Sequence, residues 1–151
     1  MAAALDGTAV AQAMRHSRWL YAGVNTAHVL GIALLVGSIL PLNLRLLGLH
    51  RTLRMMDLSR LLVPVAATGV ALALSSGTLL FLARPGAYLD EPLFLVKMVL
   101  VLAGLLHALE LRFVRGLDQA GQARLRVGAC VSATLWLAAL VAGRMIAYAG
   151  D

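Results

Sequence analysis

The chain predicts an all-α fold, an integral-membrane antiparallel four-helix bundle, and three observations carry that reading. Hydrophobic residues make up 61% of its 151 residues, charged residues only 13%, and the mean hydropathy is +0.87; soluble domains carry about one-quarter charged residues. Four apolar stretches are each close to the ~20 residues that cross a bilayer as a helix. The polar segments between them are short, so consecutive helices run antiparallel. A single membrane domain over residues 1–151 follows, with no room for a soluble catalytic domain.

The first span is placed at 19–42, from Trp19 to Leu42, entered through Ala11 to Arg18 and left at Pro41, Asn43 and Arg45. Residues 44–60 form a basic loop, with Arg45, His50, Arg51, Arg54 and Arg60 opposed by Asp57 alone. The second span, 61–83, puts Pro64 in its first turn, where a missing N–H costs least. It ends before Arg84-Pro85-Gly86, a strong helix break. The third span is 93–111, followed by a polar turn carrying Arg112, Arg115, Arg124 and Arg126. The fourth span, 127–148, closes at Tyr148.

Arginine marks the cytoplasmic side of short loops. The first and third connections hold four arginines each and the second only Arg84, so both termini are expected on the outer, periplasmic side of a bacterial inner membrane. The first residues lack a basic start followed by a cleavable apolar run, so no separate signal peptide is expected. Nucleic-acid binding is excluded as the reason for 13 Lys and Arg against 7 Asp and Glu, because the arginines crowd at span ends. A single cysteine, Cys130, within an apolar stretch rules out a disulfide framework. No internal repeat is present.

Ionisable side chains inside the hydrocarbon are costly and mark functional sites. His28 and His107 lie deep in the first and third spans, and Lys97 and Arg144 about four residues from an outer end. At 1.5 Å per residue, Lys97 and Arg144 share a layer about 6 Å down, His28 lies about 13 Å down and His107 about 21 Å down. Asn25 shares a face of the first helix with Tyr21, His28 and Gly31. Tyr148 shares a stripe of the fourth with Thr134, Val141, Arg144 and Met145. Gly31, Gly69, Gly77 and Gly104 let helices approach or admit a flat ligand.

That layering suits a haem, which needs an imidazole on iron, a slot with small and apolar walls, and cations for its propionates. His28 would ligate iron, His107 the same iron or a second one, and Lys97 and Arg144 the propionates, with Asn25 and Tyr148 bordering the site. Plainer readings stand beside this one. His28 can make an interhelical hydrogen bond to Ser75 or Ser76, His107 can pair with Glu110, Lys97 and Arg144 can snorkel to headgroups, and His16 and His50 can be solvated at the interfaces.

The runs Ala27-His28-Val29-Leu30-Gly31 through Ser38, Asn43-Leu44-Arg45-Leu46-Leu47-Gly48, Gly77-Thr78-Leu79-Leu80-Phe81, Phe94-Leu95-Val96-Lys97 and Gly143-Arg144-Met145-Ile146-Ala147-Tyr148 resemble a bacterial four-helix membrane family. More distantly the chain is similar to the CopD copper-resistance membrane domain and to HemJ-type protoporphyrinogen oxidase, with their histidine in the first helix and lysine opening the third. The HemJ likeness implies b-type haem, with His28 as an axial ligand, Lys97 as a functional cation, and His107 near the place of a further histidine. Porphyrinogen oxidation is not carried over, because Glu91-Pro92-Leu93-Phe94 replaces that family's Trp-rich entry to the third helix.

The expected function is therefore a membrane b-type haem protein in electron transfer or haem-dependent redox chemistry, exchanging electrons with quinone or a redox partner protein. Copper handling is the alternative the CopD likeness implies, for which Met14, Met55, Met56, Met98, Met145 and Cys130 offer soft ligands. A non-catalytic accessory subunit, or a homo-oligomer in the lipid bilayer, is the third reading.

Overall fold

The computed structural model describes residues 8–49, 52–110 and 121–148. Within them all regular structure is helical: α1 Ala9–His16, α2 Arg18–Leu47, α3 Met55–Ala83, α4 Pro85–Leu89, α5 Pro92–Leu109 and α6 Gln122–Met145, with a 3-10 turn at Ile146–Tyr148. Helices α2, α3, α5 and α6 are long and apolar enough to cross a membrane, as in a multi-pass membrane protein.

Local chemistry sets the ends of these helices. The Ser17 hydroxyl accepts the Leu20 N–H at 3.2 Å and opens α2, a capping role for which serine is favoured. At the far end Gly48 takes φ 107°, and the Leu49 N–H closes on the Leu44 carbonyl at 3.0 Å. Only glycine adopts that left-handed turn without strain. Pro85 and Pro92 each open a helix at a position where the missing N–H is harmless.

Several expected boundaries move. The helix of the first span continues through Pro41 to Leu47, because a proline removes one backbone hydrogen bond while leucines favour continuation. Helix α3 starts at Met55 rather than Leu61, which places Pro64 in its third turn instead of its first. Most of the expected basic loop is therefore the end of α2 and the start of α3, tied by the Arg45 Nε–H donating to the Leu53 carbonyl at 2.7 Å. Helix α6 begins at Gln122, five residues before the expected Val127. His50, Arg51 and the polar turn at 111–120 lie outside the described residues.

Packing joins α3 to α2, α2 to α6 and α6 to α5, while α3 and α5 touch little. The bundle is thus open along one side. The α2–α3 contact is the closest. A Cβ on Gly31 would lie 2.6 Å from the Ala73 nitrogen, and one on Gly69 2.6 Å from the Leu35 nitrogen, so these two glycines let the backbones meet. Between α5 and α6, Gly104 leaves space for the buried Trp136 ring. Between α2 and α6 the buried Asn43 amide donates to the Ser132 hydroxyl at 3.2 Å.

One end of the bundle carries Arg45, Arg54, Arg124 and Arg126 and is called here the arginine end. The other is the aromatic end. There Phe81 of α3 stacks on Phe94 of α5 at 5.6 Å between centroids, and Tyr88 of α4 packs on both. Helix α1 lies against the same end, burying Ala11 and Met14, the latter with Leu80 and Ala83 of α3. The outer surface is apolar, including Leu95, Val99, Leu102 and Leu106 of α5. Exposed hydroxyls on it, Thr26, Thr68 and Thr78, each donate to the carbonyl four residues back. That satisfies them where lipid offers no partner.

Candidate functional site

His28 projects from α2 onto α3. Its Nδ1 lies 2.9 Å from the Ala73 carbonyl and 3.2 Å from the Ser76 hydroxyl. A carbonyl can only accept, so Nδ1 carries the proton and Nε2 keeps its lone pair. The interhelical bond to Ser76 that the sequence allows is therefore present, with the Ala73 carbonyl beside it. The ring lies over Gly77, where a Cβ would come 3.0 Å from the His28 Cε1. Ser76 in turn donates to Leu72 within its own helix.

Lys97 is the only lysine in the chain, against twelve arginines. It projects from α5 onto α6, where a Cβ on Gly143 would stand 3.4 Å from the ammonium nitrogen. Asp and Glu occur at 6, 57, 90, 91, 110, 118 and 151, which leaves α2, α5 and α6 with none. Glu91, the carboxylate nearest in sequence, accepts the Leu93 N–H at 3.2 Å as a helix cap. Among the described residues the Lys97 ammonium has neither an ion-pair nor a hydrogen-bond partner.

Two contact registers fix the relative depth of His28 and Lys97. From the Asn43–Ser132 bond, fifteen residues along α2 reach His28 and match a position near 147 of α6, about 6 Å beyond Gly143 and Lys97 toward the aromatic end. From the Phe81–Phe94 stack, Lys97 is three residues down α5, whereas Ser76, level with His28, is five residues down α3. That puts Lys97 about 3 Å nearer the aromatic end. His28 and Lys97 therefore lie within about 6 Å of the same depth. The second estimate keeps the expected order, with His28 beneath Lys97, and the first reverses it.

Other expected site residues go elsewhere. Arg144 is exposed; its Nη2 donates to the Tyr148 hydroxyl at 2.8 Å, and its guanidinium stands 5.0 Å from the centre of that ring. The stripe of Thr134, Val141, Arg144, Met145 and Tyr148 looks outward, because Ala129, Ser132, Trp136, Ala139 and Ala142 form the packed face of α6. Asn25 is also exposed. It shares an angular position on α2 with Asn43, five turns away, and so points to the side on which α6 ends at Tyr148.

His107 does not join His28. Its Nε2 donates to the Gly128 carbonyl of α6 at 3.0 Å. From Lys97 to His107 is about 15 Å along α5, and from Gly143 to Gly128 about 22 Å along α6. That distance is too great for the two histidines to ligate one iron. His16 caps its own helix at the Gln12 carbonyl, 2.8 Å away, in an exposed position. Met14 is buried under α1, while Met98, Met145 and Cys130 are exposed, so these soft ligands do not gather at His28. No cluster of three His, Cys, Asp or Glu side chains forms among the described residues.

Above this layer, Tyr88 of α4 stands near Tyr21 of α2, whose hydroxyl bears on its ionisation. Tyr21 lies two turns above His28 and on nearly the same face. Burial holds the Tyr88 hydroxyl above the usual tyrosine range, the Tyr21 contact acts in the same direction, and Arg84 opposes it. The partners that fix His28 and Lys97, namely Ala73, Gly77 and Gly143, were not singled out for that role from sequence. Their only signal is smallness, which many other positions share. Comparison with protein-family models, curated proteins and solved structures finds no match.

Proposed function

We propose that this is a membrane b-type haem protein that transfers electrons within a bacterial inner membrane, with both termini on the periplasmic side. The observation that carries the reading is His28, whose Nδ1–H is held by the Ala73 carbonyl while Nε2 stays free, at a depth within about 6 Å of an ammonium with no partner among the described residues. A backbone acceptor on the far ring nitrogen fixes tautomer and orientation in metal-ligating histidines and raises the basicity of the ligating nitrogen. The donor set therefore fits a haem.

A bound haem supplies one-electron chemistry at its iron. The protein's part is placement. His28 would offer Nε2 to the iron, while Ser76 and Ala73 hold the ring against rotation and Gly77 leaves room for it. Lys97 would pair with one propionate, and the exposed Arg144 beside Tyr148 would be the cation for a second. Quinone or a redox partner protein is the electron-exchange partner this reading implies. Copper handling receives less support, since the methionines and Cys130 are dispersed. The test is the absorption spectrum of protein purified after expression with ample haem. A Soret band that is lost in His28→Ala supports the reading; haem-free wild-type protein overturns it.

A further inference from the structure

The bundle is open along the side between α3 and α5, and the opening is closed at one end only. Phe81 and Phe94 stack across it at the aromatic end, and Tyr88 covers both rings. Below this plug α3 and α5 make little contact. Helical angles measured from Phe81 and Phe94 place Val70, Leu74 and Gly77 on the α3 bank and Met98, Val101 and Leu105 on the α5 bank. Leu74 and Met98 on those banks are exposed, and the other four residues partly so. Gly77 separates the opening from the His28 ring by no side chain at all.

Lys97 lies three residues, about 4.5 Å, beneath Phe94. An ammonium at that depth with no carboxylate on α2, α5 or α6 calls for an anion from outside the chain. A phospholipid head anchored at the aqueous interface sits on the far side of the aromatic plug, whereas the slim carboxylate of a bilayer-dissolved molecule reaches Lys97 from the side. We propose that the His28–Lys97 site is loaded laterally from the bilayer, between α3 and α5, and that its ligand is a membrane-dissolved amphiphile ending in a carboxylate. The inference rests on reading His28 and Lys97 as two banks of one site, but not on the identity of the group bound there.

The route is tested on full-length chains in lipid nanodiscs, where both bilayer faces meet solution. Lys97→Cys in a Cys130→Ser background is labelled with a cyclohexyl maleimide, which enters lipid, and with a trimethylammonium maleimide, which does not. The expected result is labelling at least tenfold faster by the lipid-soluble reagent, with Phe94→Ala bringing the two rates within about threefold. Trp19→Cys, at a residue 88% exposed, serves as the control that reacts with both reagents. Equal rates at Lys97→Cys, fast or slow, overturn lateral loading. The ligand class is tested with spin-labelled stearate in zwitterionic discs. Wild-type protein is expected to immobilise about one more stearate per chain than Lys97→Gln, with Lys97→Arg restoring it. No difference, or an equal difference for spin-labelled phosphatidylglycerol, overturns the carboxylate assignment. The stearate comparison uses protein expressed under haem limitation and shown to lack a Soret band, so that no propionate competes at Lys97, whereas the haem reading is tested on protein expressed with ample haem; the two can then fail separately.

Discussion

At the scale of single residues, the structure divides four ionisable groups that look alike in the sequence. His28 packs on Gly77 of α3 and Lys97 on Gly143 of α6 at a similar depth, Arg144 turns to the surface with Tyr148, and His107 is bonded to Gly128 far along the bundle. Tyr88, outside the spans, provides a pH-dependent signature of the aromatic plug. Its ionisation is raised by burial, so the folded chain holds that proton more tightly than the unfolded one. The contribution to stability is complete below the ordinary tyrosine value near 10 and is lost as pH rises through the higher folded value. Titration of tyrosinate absorbance is expected to show a component above ~10 that Tyr88→Phe removes. A titration unchanged by that substitution would place Tyr88 in water. That His28 reaches across to α3 was legible in the sequence, because a histidine so deep in an apolar helix needs a polar partner on a neighbouring helix. Its exact partners were not, because Ala73 contributes a backbone carbonyl and Gly77 an absence.

At the scale of elements, hydropathy locates the four membrane helices but not their ends. Arginines at 45, 54 and 60 make residues 44–60 look like a loop, yet the helices run on past the hydrocarbon, where charged side chains on a helix face water at no cost. Two short helices, α1 and α4, escaped the reading altogether: a hydropathy window sees neither an eight-residue amphipathic helix nor a five-residue one. The glycines were more informative. Gly31 and Gly69 are where α2 and α3 meet backbone to backbone, and neither neighbour has a flexible side chain to move aside. Gly69→Ala is expected to destabilise the detergent-solubilised protein by about 1–3 kcal/mol, the cost of overpacking a close contact. Gly23→Ala, with open space around its Cβ position, should have little effect. Thermal denaturation of the two variants side by side checks this, and equal stabilities would contradict the close approach.

At the scale of the whole molecule, the bundle is a chain of packed pairs, α3–α2–α6–α5, open between its outer members. The sequence does not announce that opening, since nothing in hydropathy distinguishes a helix facing lipid from one facing an empty neighbour. The orientation proposed above rests on the arginine-rich connections. A reporter active only in the cytoplasm is expected to work when inserted between Arg115 and Arg124 and to fail when fused after Asp151; the reverse pattern would invert the topology. The central claim is that His28, and not His107, holds a haem in the layer of Lys97. The measurement that tests it most directly is haem content by absorption spectroscopy of the wild type, His28→Ala and His107→Ala purified side by side. The account predicts a Soret band in the wild type, its loss in His28→Ala and its retention in His107→Ala. Retention in His28→Ala, or no haem in the wild type, would contradict it.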